Sequence, residues 1–205
     1  MKKNFTLITL FLFAILTFSQ NVNLEEIKKS ISNPSSDFYL EKIITKYKGL
    51  PSQLDSIEAR HLYYGKASSV DIKKSNEIRE NFKKEDYKTA LEIAEIILKE
   101  NPTDLETLSI ISECYYRLQD SNNLNYYSTQ FRKLIDAVLS SGDGKTEKTA
   151  YLANSVTDEY ILLAILQKKA FEMKRFSKPS KDGMYDVWDD NGKKLYISII
   201  YNMKF

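Results

Sequence analysis

The segment EDYKTALEIAEIILKENPTDLETLSIISECYYRLQD, residues 85–120, leaves few folds open. Apolar residues recur at helical spacing on both sides of Asn101-Pro102, so two amphipathic helices meet at a tight turn. Tyr87, Ala90, Ala94 and Ile97 run large, small, small, large along the first helix. Small side chains let neighbouring helices approach closely, and Pro102 prevents the helix from continuing. After the turn, Leu105, Leu108, Ile111, Tyr115 and Leu118 line a second helix; Leu124, Tyr127, Phe131, Leu134, Ile135 and Val138 line a third. The spacing fits a repeat of about 34 residues over roughly 71–138.

Elsewhere the pattern is also mostly helical from about residue 23 to 168. Leu40, Ile43, Ile44 and Tyr47 share a face of a helix that can start at Ser36 or Asp37 and stop at a left-handed Gly49. Ser52 can cap the next helix, on which Leu54, Ile57, His61 and Tyr64 align. Near residue 169 the period changes to two. Leu195, Ile197, Ile199 and Tyr201 alternate with Tyr196, Ser198, Ile200 and Asn202, and Asp190-Asn191-Gly192 is a strong hairpin signal. Pro179 with Asp182-Gly183 marks an earlier turn. The expected fold class is α+β, mostly α: tetratricopeptide-like helical hairpins followed by a small three-stranded antiparallel β-meander. The expected divisions are a leader at 1–19, helices over 20–168, and a meander over 169–205 packed on the last helix, DEYILLAILQ.

The leader expectation comes from MKKNFTLITLFLFAILTFSQ, in which two lysines precede an apolar run from Phe5 to Phe18 that ends in polar residues. This is the layout of a signal peptide cut after Ser19, and the run is too short for a stable transmembrane span. No cysteine stands near the cut, and the one cysteine, Cys114, rules out an internal disulfide. Removing residues 1–19 takes away Lys2 and Lys3 and no acid, so the 30 basic residues fall to the number of acidic ones, 28. A neutral chain has no general drive toward nucleic acid or anionic lipid. Periplasmic or secreted localisation is expected.

Gly-Lys-Thr at 144–146, within SSGDGKTEKT, raises the question of a nucleotide site. A phosphate loop needs a glycine five residues before this Gly, and a buried strand ahead of it. Leu139 occupies that position and FRKLIDAVLSS before it reads as a helix. Gly142 and Gly144 are therefore expected to end a helix with positive φ, and Asp143 to brace the turn. His61 is the only histidine, which excludes any site built on two imidazoles, and it is expected as a packed, hydrogen-bonded residue. Asp143, Glu147, Asp158 and Glu159 could gather as a cation site or a carboxylate pair, although Asp158 reads chiefly as a first-turn helix residue. Three doublets, Tyr63-Tyr64, Tyr115-Tyr116 and Tyr126-Tyr127, are each expected to place one ring in the core and the other at an edge or groove.

Ser141, Gly142, Asp143, Gly144, Thr146, Thr149, Ala150, Val156, Asp158, Glu159 and Tyr160, with HLYYG at 61–65, resemble the domain-of-unknown-function family 4919. That resemblance covers nearly all of the chain after the leader. It implies exported proteins of Gram-negative bacteria, and it brings no activity with it.

The leading functional expectation is a non-enzymatic interaction module of the cell envelope, with stacked hairpins presenting a surface to a protein or peptide. Its candidate binding residues are Tyr64, Tyr116, Tyr126, Asp143 and Asp158; no catalytic set, cofactor, metal, nucleotide or nucleic acid is expected. An envelope hydrolase using acids near the GDGKTEKT loop, and a binder of glycans or lipid fragments, remain as alternatives.

Overall fold

The structure is a computed structural model, and it describes residues 22–66, 71–180 and 183–200. The leader, the residues after His61–Gly65 at 67–70, Asp182, Tyr201 and Asn202 lie outside the described residues. Eight α-helices occur among the described residues: α1 (Leu24–Ile31), α2 (Leu40–Gly49), α3 (Ser56–Gly65), α4 (Ile72–Lys83), α5 (Tyr87–Glu100), α6 (Leu105–Arg117), α7 (Ser121–Leu139) and α8 (Val156–Ile165). Four strands accompany them: β1 (Tyr151–Ala153), β2 (Lys174–Pro179), β3 (Gly183–Asp190) and β4 (Lys193–Ile200).

Caps written into the sequence set the helix starts. Asp71, Asp86, Asp104, Asp120 and Ser155 each accept a hydrogen bond from a backbone N–H in the first turn of the helix that follows. Asp55 caps α3 in a capping box with Glu58, replacing the expected Ser52. This shift of start leaves Ile57 half exposed, off the buried face. Helix α2 begins at Leu40, later than Ser36, whose hydroxyl accepts the Phe38 N–H in the preceding turn. Gly49 is its last residue and does not take a left-handed conformation.

The repeat pattern is realised as two hairpins, α4–α5 and α6–α7. The starts of α4 and α6 lie 33 residues apart, at Ile72 and Leu105, and those of α5 and α7 lie 34 apart, at Tyr87 and Ser121. Ala90 and Ala94 are fully buried and pack with Ile78, Ile93, Ile97, Ile111 and Cys114 in a core of their own. A larger core joins α1, α2 and α3 to α6, α7, α8 and the sheet. Its largest interior side chains include Tyr47, Tyr63, Tyr64 and Leu62.

The sheet has four strands, ordered β1-β4-β3-β2, and corrects the expected three-stranded meander. β2, β3 and β4 are antiparallel neighbours, with Asn191 (φ 53°) and Gly192 (φ 90°) at the β3–β4 turn, as the Asn-Gly signal requires. The additional strand is β1, which pairs in parallel with β4 through Tyr151↔Ile197 and Ala153↔Ile199. Only three residues long and preceded by a glycine-rich loop, it carries too short an alternation to be read as a strand.

That loop is closed on itself and on the sheet. The N–H groups of Asp143 and Gly144 both donate to the Thr149 carbonyl, and Gly144 O accepts the Tyr196 N–H at 2.8 Å. Gly144 has φ 66°, but Gly142 does not have positive φ and is needed for a different reason. A Cβ on Gly142 would lie 2.4 Å from both the Thr149 and the Ala150 carbonyl oxygens. Gly142→Ala is therefore expected to cost about 2 kcal/mol or more by overpacking against backbone. Gly49→Ala, with open space around its Cβ, is expected to be neutral or stabilising by up to about 1 kcal/mol. Urea unfolding of the two variants checks the contrast.

Candidate functional site

Helix α8 runs between the helical layer and the sheet, and its first turn carries two buried acids. Adjacent helical residues diverge by about 100°, so Asp158 and Glu159 face different partners. Asp158 accepts a 2.6 Å hydrogen bond from the Tyr63 hydroxyl, which itself accepts the Asn154 N–H at 3.0 Å. Asn154 Nδ2 donates to the Tyr63 carbonyl at 2.6 Å, locking α3 to the start of α8. Burial raises the Asp158 carboxyl to about 7, with Asp104 and Glu106 adding like charge and the Tyr63 hydrogen bond opposing the rise. Asp104 is held as the α6 cap, and Glu106 is clasped by Arg79 at 2.5 and 2.6 Å. The hollow that these acids share with Thr103, Ser155 and Thr157 measures about 10 Å³, room for roughly one water.

Glu159 faces the sheet. It accepts the Trp188 indole N–H at 2.7 Å, while Arg175 Nη2 lies 3.0 Å from its other oxygen and 2.5 Å from Asp186 Oδ2. The Ser177 hydroxyl donates to the second Asp186 oxygen. Glu159 and Asp186 are both fully buried, so two carboxylates share one guanidinium. Burial, reinforced by the Asp186 charge, holds the Glu159 carboxyl well above the ordinary carboxylate range. Both acids are closed off from solvent.

The candidate residues named from sequence are not brought together. Tyr64 is interior, donating to the Leu152 carbonyl, and its neighbour Tyr63 is equally buried, which corrects the expected division of that doublet. Helix α3 is covered on one side by α1 and α2 and on the other by α7, so neither ring reaches an edge. Tyr126 donates to the Lys48 carbonyl and accepts from Gln130, joining α7 to α2. Asp143 sits in the loop, accepting the Lys145 N–H at 3.0 Å; its bonds to Thr149 and Lys145 pull its carboxyl down to about 2. Glu147 pairs with Lys178. Asp143, Glu147, Asp158 and Glu159 are thus tied to four separate sets of partners. Among the described residues no three His, Cys, Asp or Glu side chains converge as a metal-binding group. His61 stacks on Phe38 with ring centroids 4.2 Å apart and bonds through Nδ1 to the Ile57 carbonyl, a packed residue as expected. Cys114 is interior, its thiol pushed up to about 11 by burial.

Tyr116 alone of the candidates is widely exposed, at 62%. It borders an open groove of about 520 Å³ between α6, α7 and the end of α4, lined by Phe82, Ile110, Leu124 and Phe131 among others. Ser109, Ser112 and Ser128 add hydroxyls to its walls. Sequence reasoning missed Arg175, Asp186 and Trp188. A signal for Asp186 exists: it stands two residues before Trp188, on the inward parity of its strand, where an acid must find a partner.

A family model described as "Domain of unknown function (DUF4919)" matches residues 25–202, from α1 through β4. No curated protein matches the chain. No solved structure matches it.

The two buried acids make stability depend on pH in a direction opposite to that of most carboxylates. Each binds a proton more tightly in the folded chain than in the unfolded one, so stability falls as pH rises from about 4 toward 7. Asp143 has the opposite sign, and its contribution is lost only below about pH 4. The melting temperature is expected to be higher at pH 5.5 than at pH 8, by about 5 °C or more. Asp158→Asn, which keeps an acceptor for Tyr63, should reduce that difference; scanning calorimetry at the two pH values measures it.

Proposed function

The chain belongs to the family described as domain of unknown function (DUF4919), and from that premise we propose that it is a protein- or peptide-interaction module of the cell envelope. In this reading residues 1–19 export it, and it works in the periplasm or outside the cell. Support comes from one observation above all, the open groove at α6 and α7. Its floor is apolar and aromatic, its walls carry serine hydroxyls, and Tyr116 stands at its border with most of its ring in solvent. Such a surface suits a peptide that inserts one or two apolar anchors and rests its backbone on the hydroxyls. Tyrosine suits the border because it combines large contact area with few rotatable bonds. Among the described residues no helix is long and apolar enough to cross a membrane. The acids of the GDGKTEKT loop and of α8 act as structural groups here, each neutralised or hydrogen-bonded within the fold.

Peptides selected by display against the full chain test the groove. Tyr116→Ala is expected to weaken the selected peptides by about tenfold or more, and to leave the melting temperature unchanged because the ring is largely outside the core. Retention of full affinity in both Tyr116→Ala and Ile110→Ser would overturn the assignment of the groove.

A further inference from the structure

Strand β2 is the edge of the sheet, and five of its six residues are exposed. Which of its backbone groups are free follows from the register. Ser180 N–H donates to Gly183 O at 3.0 Å, so 180 and 183 form the hydrogen-bonded pair that closes the β2–β3 turn. Alternation along the ladder then turns the backbone groups of Lys174, Phe176 and Lys178 toward β3, and those of Arg175, Ser177 and Pro179 outward. Pro179 has no N–H to lose and stands where that loss costs no ladder bond. The outward edge therefore offers the N–H groups of Arg175 and Ser177 and the carbonyls of all three residues.

The solvent face of the sheet is ordered in rows across the strands. Lys174 lies opposite Asp189, which lies opposite Lys194; Phe176 lies opposite Val187, then Tyr196; Lys178 lies opposite Tyr185, then Ser198. The first row alternates in charge and the second is apolar. Phe176 is 58% exposed and borders a hollow of about 400 Å³ on this face. A strand added beside β2 would continue each row, with an acid next to Lys174, an apolar residue next to Phe176 and an acid next to Lys178, whose ammonium is shared with Glu147. Opposite charges and apolar pairs directly across a ladder are the favourable ones. A second copy of β2 fits poorly. Antiparallel pairing centred on Phe176 sets Lys174 against Lys178, and in-register parallel pairing sets each lysine beside its own copy.

We propose that the β2 edge is a strand-addition site for an extended acidic segment of another protein, of the pattern acid, any residue, apolar, any residue, acid. The site is separate from the α6–α7 groove, and the two stand or fall independently. The probe is a blocked, dye-labelled peptide TETVTET, titrated with the full chain by fluorescence anisotropy, with TKTVTKT as its charge-reversed control. TETVTET is expected to bind at least about tenfold more tightly than the control, and to weaken as salt is raised from 50 to 300 mM. Lys174→Glu should remove the preference between the two peptides, and Tyr116→Ala should change neither affinity. N-methylation of the alternate amides that face β2 should abolish binding, whereas N-methylation of the other alternate set should not. Equal affinity for the two peptides overturns the charge selection. Binding that survives both methylations is electrostatic adhesion and overturns strand addition. Absence of binding, or concentration-dependent dimerisation that Lys174→Glu strengthens by setting opposite charges across the paired strands, overturns the proposed occupant.

Discussion

The architecture depends on helix α8 burying two carboxyl groups toward two different layers. A ten-residue helix rich in leucine would pack between two layers by hydrophobicity alone, and Leu162 and Leu163 do so. Apolar contact has no directional preference, however, and would leave the rotation of α8 about its axis loosely fixed. Asp158 bonded to Tyr63, and Glu159 bonded to Trp188 and set against Arg175, fix that rotation because each partner sits on a different layer. Removing one partner would leave an uncompensated buried polar group, so the arrangement is strongly coupled. Placing two acids beside one arginine under the sheet leaves an excess negative charge, which the raised proton affinity of Glu159 relieves.

The glycine loop completes the same junction. Gly142 lets the backbone pass against the Thr149 and Ala150 carbonyls, and Ser141 Oγ accepts the Leu152 N–H at 2.8 Å. These contacts deliver β1 alongside β4, and the Leu152 carbonyl then receives the Tyr64 hydroxyl. Helix α3, the loop, β1 and α8 thus form one polar-bonded unit inside an apolar core. The α4–α5 hairpin packs on α6 through a second, smaller core around Ala90 and Ala94, to which Ile111 and Cys114 of α6 contribute. Its packing is repeat-like and local, whereas the rest of the chain is joined by contacts distant in sequence.

This difference explains what could be read from sequence. Helices α4 to α7 were legible because their signals are local: apolar residues at helical spacing, small residues at the close approach, and Pro102 in the turn. The β3–β4 hairpin was legible for the same reason, through Asn191-Gly192. Strand β1 was not, since three residues exist as a strand only because β4 lies beside them. Nor was the burial of both Tyr63 and Tyr64, which depends on α3 being covered from two sides. The acids stand out in the sequence as a group, but spacing along the chain does not reveal that Asp158 and Glu159 bond to residues 95 positions before and 29 after them.

The polar residues of the two layers consequently divide by role according to what surrounds them. Inside, every acid near α8 is matched by a hydroxyl, an indole, a guanidinium or a cap, and the groups hold elements together. Outside, Tyr116 at the groove and Lys174 and Phe176 on the sheet edge complete nothing in the chain's own packing. Lysines along an edge strand prevent pairing between copies, and this protection is itself selective, since a strand of opposite charge meets no such barrier. Among the described residues the buried carboxyls are engaged within the chain, and the exposed aromatic rings, outward backbone groups and cations lie at the borders of the fold.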